Sequence, residues 1–297
     1  MMKTVKVMMA TAVSMICGVL AFGTPVFAME GITKSNFNYV QYANTYPDVY
    51  AAFGYDRDKI YDHYVKYGKA EGRVACMTPT EGLTVQNFNA AQYAKDNPDI
   101  AAAVGKSAKA LYQNFITVGF ITGRVGHSTD DLIEAKLKLY RVIPTITKPG
   151  MTDEEKVKAV HDWLCTNIHY GFVRYTDTNE AAADSYTASG PMNYQTAVCS
   201  GYAEAFKRFM DYMGIDSKYV EGTGYNDLYP NGGSHAWNQV KVNGKWYNMD
   251  VTWDDPINGD SGVVNSYDYY LNNSSEFSNS HVAENAYSDI ENIEFED

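Results

Sequence analysis

His235-Ala236-Trp237-Asn238-Gln239-Val240-Lys241-Val242-Asn243-Gly244-Lys245-Trp246-Tyr247-Asn248-Met249-Asp250-Val251-Thr252-Trp253 is the stretch whose reading decides the fold. Two runs rich in β-branched and aromatic residues flank Asn-Gly, the pair that suits a two-residue hairpin turn because both central residues take positive φ. Such a turn sets the register. Val242 then faces Lys245, Trp237 faces Asp250 and His235 faces Thr252. Side chains alternate along a strand, so these last four share one face. Asp250 becomes the diagonal neighbour of His235, at roughly 7–8 Å between backbones and closer at the side-chain tips. A slip of one residue would part the two, so the relation depends on the turn.

Upstream, Ala197-Val198-Cys199-Ser200-Gly201-Tyr202-Ala203-Glu204-Ala205-Phe206 places a cysteine where an amphipathic segment begins. Tyr202, Ala205, Phe206, Phe209 and Met213 follow near helical spacing, and Gly214 supplies a stop. A thiol at a helix N-terminus meets unpaired N–H groups and the positive end of the dipole, which favour the thiolate. By itself the stretch is equally readable as a buried structural cysteine. Joint presence of Cys199, His235 and Asp250 favours catalysis. A thiol nucleophile needs an imidazole to take its proton and return one to the leaving group. That imidazole needs a carboxylate to fix its tautomer.

Ala197-Val198-Cys199-Ser200-Gly201-Tyr202-Ala203, Ser234-His235-Ala236-Trp237-Asn238 and the run from Trp246 to Asp255 resemble the three motifs of the bacterial transglutaminase-like superfamily, over about residues 128 to 290. The resemblance implies an α+β, papain-like core in which a Cys-bearing helix packs on an antiparallel sheet carrying His and Asp. It also implies acyl transfer through a thioester, with Cys199 as nucleophile, His235 as base and Asp250 as orienter. The Gly-Gln-Cys-Trp stretch of animal transglutaminases is replaced here by Ala-Val-Cys-Ser. An oxyanion hole should include the Cys199 backbone N–H, with Gln195 as the nearest upstream side-chain donor. Trp237 is expected to shield the His–Asp pair.

Residues 127–297 are thus read as the catalytic domain, and what precedes them is a repeat. Phe37, Tyr42, Pro47, Asp48, Gly54, Tyr61, Gly68, Gly72 and Arg73 recur 51 residues on as Phe88, Tyr93, Pro98, Asp99, Gly105, Tyr112, Gly119, Gly123 and Arg124. Each unit, about 36–75 and 87–126 within a region 29–126, reads as two short helices, with Pro47 and Pro98 in first helical turns. The units resemble repeats ending in Tyr-Gly-x-x-Glu-Gly-Arg in exported bacterial proteins, carried best by Tyr67-Gly68-Lys69-Ala70-Glu71-Gly72-Arg73. Their tyrosines suit either a small aromatic core or a carbohydrate or cell-surface contact.

The first 28 residues read as a signal peptide: Lys3 and Lys6, an apolar run from Val7 to Leu20, and Val26-Phe27-Ala28 before cleavage near Ala28. That run is too short and too interrupted for a transmembrane anchor, so the expectation is a secreted or cell-surface protein. Loss of Lys3 and Lys6 takes the formal charge from −12 to −14, which argues against nucleic acid as a partner. Peptide or protein substrates, cell-wall peptides among them, fit better. Of four cysteines, Cys17 leaves with the signal; a disulfide between Cys76 and Cys165 would leave Cys199 as the working thiol.

No cofactor or metal is expected. His161, Cys165 and His169 at i, i+4 and i+8 offer a metal-binding face, but Cys165 sits beside the apolar stripe Val157, Val160, Leu164 and Ile168, where an inert thiol belongs. Asp254, Asp255, Asn258 and Asp260 lack EF-hand spacing and read as a solvated acidic turn. Thr152 and Glu155 form a capping box for that helix, and the one before it should end ahead of Pro144. The alternative to an enzyme is a transglutaminase-like surface-binding or scaffolding protein that no longer reacts.

Overall fold

Asn243 and Gly244 take φ of 53° and 77°, and the hairpin closes in the expected register, from Val242 opposite Lys245 to Asn238 opposite Met249. In the computed structural model, described residues are 32–34, 36–73, 75, 77–120, 122–148, 150–173, 183–227, 229–255 and 266–290. The signal segment, Cys76, Asn258 and Asp260 lie outside them.

Helices α1 (Tyr39–Thr45), α2 (Pro47–Phe53) and α3 (Arg57–His63) recur 51 residues on as α4 (Ala90–Asp96), α5 (Pro98–Val104) and α6 (Ala108–Asn114). Each unit therefore holds three α-helices rather than two, followed by a π-helical turn, Tyr64–Gly68 or Phe115–Gly119. Asn38 and Asn89 cap the first helix of each unit, and Asp56 and Ser107 the third. Arg73 grips Asp48 with both terminal nitrogens at 3.0 and 2.9 Å, and Arg124 grips Asp99 at 3.0 and 2.6 Å. Within each unit the aromatic rings form a small core, with Phe37 stacked on Tyr64 and Phe88 on Phe115.

α7 (Asp131–Ile146) runs through Pro144 instead of stopping before it. A proline in the last turn removes few helical bonds, and Val142, Ile143 and Ile146 on that turn pack against the core. α8 (Asp153–Asn167) starts on the Thr152/Glu155 capping box. Short strands β1 (His169–Tyr170) and β2 (Thr196–Ala197) pair in parallel and deliver the chain to α9 (Cys199–Met213).

α9 is buried from Gly201 to Tyr212 and ends on Gly214 at φ 71°. A helix covered all round is a core helix, so its polar residues need partners. Arg208 bonds Glu204 at 2.6 Å, Lys207 bonds Asp211, and the Ala188 N–H donates to Glu204 at 2.8 Å. Gly201 lets the 183–197 segment lie on the helix: a Cβ there would sit 2.7 Å from the Ser185 carbonyl oxygen.

The antiparallel sheet comprises β3 (Ser217–Gly224), β4 (Gly233–Val242), β5 (Lys245–Met249) and β6 (His281–Tyr287), in the order β5-β4-β3-β6, with α9 packed across β3 and β4. This is the α+β, Cys-helix-on-sheet core expected from the sequence. Helices α10 (Val251–Asp254) and α11 (Ser275–Ser280) complete it. β5 stops at Met249 rather than running to Trp253, because Asp250 caps α10. Its Oδ1 accepts the Thr252 and Trp253 N–H groups at 3.0 and 3.2 Å, so Thr252 never faces His235 across the ladder.

Candidate active site

Cys199 is the first residue of α9. Val198, at the cap position, offers no side-chain hydrogen bond, so the first-turn N–H groups and the positive helix end are not engaged by a capping side chain. The sulfur is half-buried and faces a cavity of about 750 Å³ bounded by Tyr170, Phe172, Glu221, His235 and Tyr287. A smaller space that also borders Cys199, about 230 Å³, is lined by Tyr229, Trp253 and again Tyr170 and His235.

His235 comes from β4. Its Nε2 lies 2.6 Å from Asp250 Oδ2, and His235 and Cys199 border the same cavity. With Nε2 engaged by the carboxylate, Nδ1 is the nitrogen available to the thiol. Trp237 and Trp253 lie near-parallel to the ring at 6.0 and 4.9 Å and restrict its rotation. Burial opposes charge on His235, but Asp250 beside it, and then Cys199, outweigh this and raise its pKa well above the usual imidazole range. Burial likewise disfavours charge on Asp250, yet the His235 and His281 rings hold its pKa well below the usual carboxylate range. The pair is therefore arranged to carry imidazolium beside carboxylate.

Three of the five sequence-derived site residues, Cys199, His235 and Asp250, come together, with Trp237 buried against the His235 ring. Gln195 does not join them. It is exposed, sits at φ 55° in the turn before β2, and its backbone carbonyl accepts the His169 N–H at 2.9 Å.

Sequence reasoning missed three neighbours. His281, at the start of β6, places Nε2 3.0 Å from the same Asp250 oxygen. Trp253 covers His235. Tyr170, 43% exposed, borders both cavities beside Cys199; partial desolvation, followed by the charges of Cys199 and other neighbours, pushes its phenol pKa up to about 12. No sequence signal marked His281; Gly224 instead leaves room for His235, since a Cβ there would sit 3.0–3.1 Å from the His235 side chain.

The possible metal face on α8 is not assembled. α8 ends at Asn167, Ile168 is extended, and His169 points from β1 as an exposed residue. His161 Nε2 instead meets Asp254 at 3.1 Å. Cys165 is a free thiol, and burial and then the Asp255 and Asp254 charges push its pKa far up. Asp254 and Asp255 are buried, not solvated, because α10 tucks between α8 and α9. Asp254 accepts the Ser266 hydroxyl at 2.6 Å and the Tyr269 N–H at 3.0 Å, and Asp255 accepts the Tyr202 hydroxyl. Among the described residues, His235, Asp250 and His281 have donor atoms close enough to share an ion, within 4.8 Å. As placed, both imidazoles bond one carboxylate oxygen, and an ion there would replace both hydrogen bonds.

Residues 141–251, which include all three residues of this constellation, match the family model of the transglutaminase-like superfamily, so the chain carries a transglutaminase-like domain. It is 28% identical over 127 residues to kyphoscoliosis peptidase of Homo sapiens and 27% identical over 127 residues to that of Mus musculus. The matched part is 41% of this chain and 19% of each relative, so the chain spans about a fifth of the curated relatives it matches. A solved structure of a TGase aligns at 20% identity with a TM-score of 0.30, over 39% of this chain and 30% of that one.

Proposed function

We propose that the chain is an exported cysteine-dependent enzyme that transfers acyl groups from peptide or protein amides through a thioester. One observation carries the reading: the 2.6 Å bond from His235 Nε2 to Asp250 directs the rest of the imidazole at a cysteine that opens a core helix.

In the first half-reaction His235 takes the Cys199 proton, and the thiolate sulfur adds to the amide carbonyl carbon. The oxyanion so formed meets the Cys199 N–H and the Tyr170 phenol. His235 then protonates the departing amine as the C–N bond breaks, leaving a thioester on Cys199. In the second half-reaction His235 deprotonates water or a second amine, whose attack expels the thiolate. Water gives hydrolysis, and an amine gives transamidation. Cell-wall peptides and extracellular proteins are the substrates that export would supply.

Capture of a Cys199 acyl adduct from a peptide library, with and without added amine, tests this. An adduct absent from Cys199→Ala supports the enzyme; no adduct, with Cys199 alkylated by iodoacetamide no faster than a model thiol, leaves the non-reacting scaffold.

A further inference from the structure

We propose that His281 is a positioning residue for the Cys199–His235–Asp250 set, holding the Asp250 oxygen that orients His235. This rests on the catalytic reading above.

Asp250 is 1% exposed, and a buried carboxylate is tolerated only where its oxygens are satisfied. The Thr252 and Trp253 backbone amides take Oδ1. They leave the carboxylate plane free to pivot about that oxygen. A second donor on Oδ2, the oxygen His235 uses, removes the pivot, and His281 Nε2 at 3.0 Å is that donor.

The His281 ring is itself held. Phe277 stacks on it at 4.0 Å, Trp253 lies at 4.3 Å and Trp237 at 5.0 Å. Ser280 Oγ is 2.9 Å from Nδ1. The same Oγ lies 3.0 and 3.1 Å from the Glu276 and Phe277 carbonyl oxygens. With its proton on either of these, Nδ1 donates to Oγ; with its proton on Nδ1, Nδ1 accepts. In both cases Nε2 must carry a proton to donate to the carboxylate.

The sheet makes room for both rings. His235 lies opposite Gly222 on one side of β3, and His281 lies opposite Gly224 on the other. The two imidazoles thus flank one strand, with centroids 5.5 Å apart, and reach the same oxygen. Besides these rings, titratable groups among the described residues that interact with Asp250 include Cys165 of α8, Tyr170 of β1 and Tyr269 of the 266–274 segment.

The full-length chain is treated with iodoacetamide between pH 4 and 8, and alkylation of Cys199 is followed by mass spectrometry, with buried Cys165 as the internal control. His281→Phe keeps the ring stack but removes the donor. Cys199 alkylation at pH 5–6 is expected to fall by up to about tenfold as its acid limb moves up by about one pH unit, the equivalent of one lost charge-assisted hydrogen bond. His281→Gln, whose amide nitrogen reaches near the Nε2 position, should stay within about threefold of the parent, since the donor is kept. Should His281→Phe fail to fold, His281→Asn, too short to reach Asp250, carries the same expectation.

An unchanged pH profile in a folded donor-less variant overturns the proposal. So does an equal loss in His281→Phe and His281→Gln that tracks their unfolding midpoints. If the parent Cys199 itself reacts like a model thiol, the catalytic reading falls and the role of His281 with it.

Discussion

Asp250 holds His235 through one oxygen, at 2.6 Å, while its other oxygen starts helix α10. Orientation of the base and initiation of a helix are thus tied to one carboxylate. Substitutions should separate them. Asp250→Asn keeps a good cap but loses the charge, and acyl transfer is expected to fall by about 10³–10⁴-fold. Asp250→Ala should lose as much activity and about 1 kcal/mol more stability than Asn, since the cap goes too. Adduct formation and urea midpoints measured on both variants check this.

Stability should depend on pH through the same pair. His235 has a raised folded pKa, so its contribution is complete below the unfolded value near 6.5 and fades as pH rises through the folded value of about 10. Asp250 has a depressed folded pKa, so its contribution is complete above the unfolded value near 3.8 and fades as pH falls through the folded one. The advantage of the parent over His235→Gln should peak between about pH 4 and 6.5. Urea titrations at pH 5, 7 and 9 should show it shrinking towards alkaline pH.

Asp255 works in the opposite sense. Burial pushes its carboxyl up to about 7, against the Tyr202 hydroxyl bond, so ionisation opposes folding increasingly from pH 4 to 7. Asp255→Asn still accepts from Tyr202 and should be more stable than the parent at pH 8 by about 1 kcal/mol, with the difference gone at pH 4. Thermal unfolding at the two pH values measures this.

In the proposed mechanism Tyr170→Phe removes one oxyanion donor and little volume. A loss of about 10- to 100-fold in the acylation rate is expected, below that for a fully dedicated donor. Iodoacetamide alkylation, which forms no oxyanion, should stay near the parent rate. A parallel fall in both rates would assign Tyr170 to thiolate formation.

Lys207 and Asp211 form an ion pair inside the core. Lys207→Met removes the ammonium from this buried pair and should cost roughly 1–3 kcal/mol. Lys207→Met with Asp211→Leu should cost less than the two single changes combined, as read from a double-mutant cycle in urea.

Much of this site was legible because it sits near a turn with strict chemistry. Asn243-Gly244 needs positive φ at both positions, which pinned the register from Val242 to Asn238. Six residues past Gly244, the local preference of Asp250 for a helix cap overrode strand continuation. The His235–Asp250 contact survived because the cap left Oδ2 free for His235. His281 was not legible: it lies 31 positions beyond Asp250, and its approach depends on β6 pairing with β3 across a register shift after Glu221. Asp254 and Asp255 were misread because burial between α8 and α9 is a tertiary fact, and adjacent carboxylates look solvated in a string of letters. Gln195 failed for a backbone reason, its left-handed turn keeping the side chain outside the cleft.

The two helical units share one design and occupy unequal positions. Phe37, Tyr42, Ile60 and Tyr64 of the first belong to the same apolar cluster as Phe206 and Phe209 of α9, and the Met77 N–H donates to the Asp211 carbonyl at 3.2 Å. The second makes its own cluster with Ile133 and Leu137 of α7. A duplicated sequence has thus been put to two uses, one copy as part of the masonry and the other as a buttress. The chain cannot be trimmed from its front like beads from a string: cutting off the first copy would lay bare the wall on which the helix of Cys199 rests.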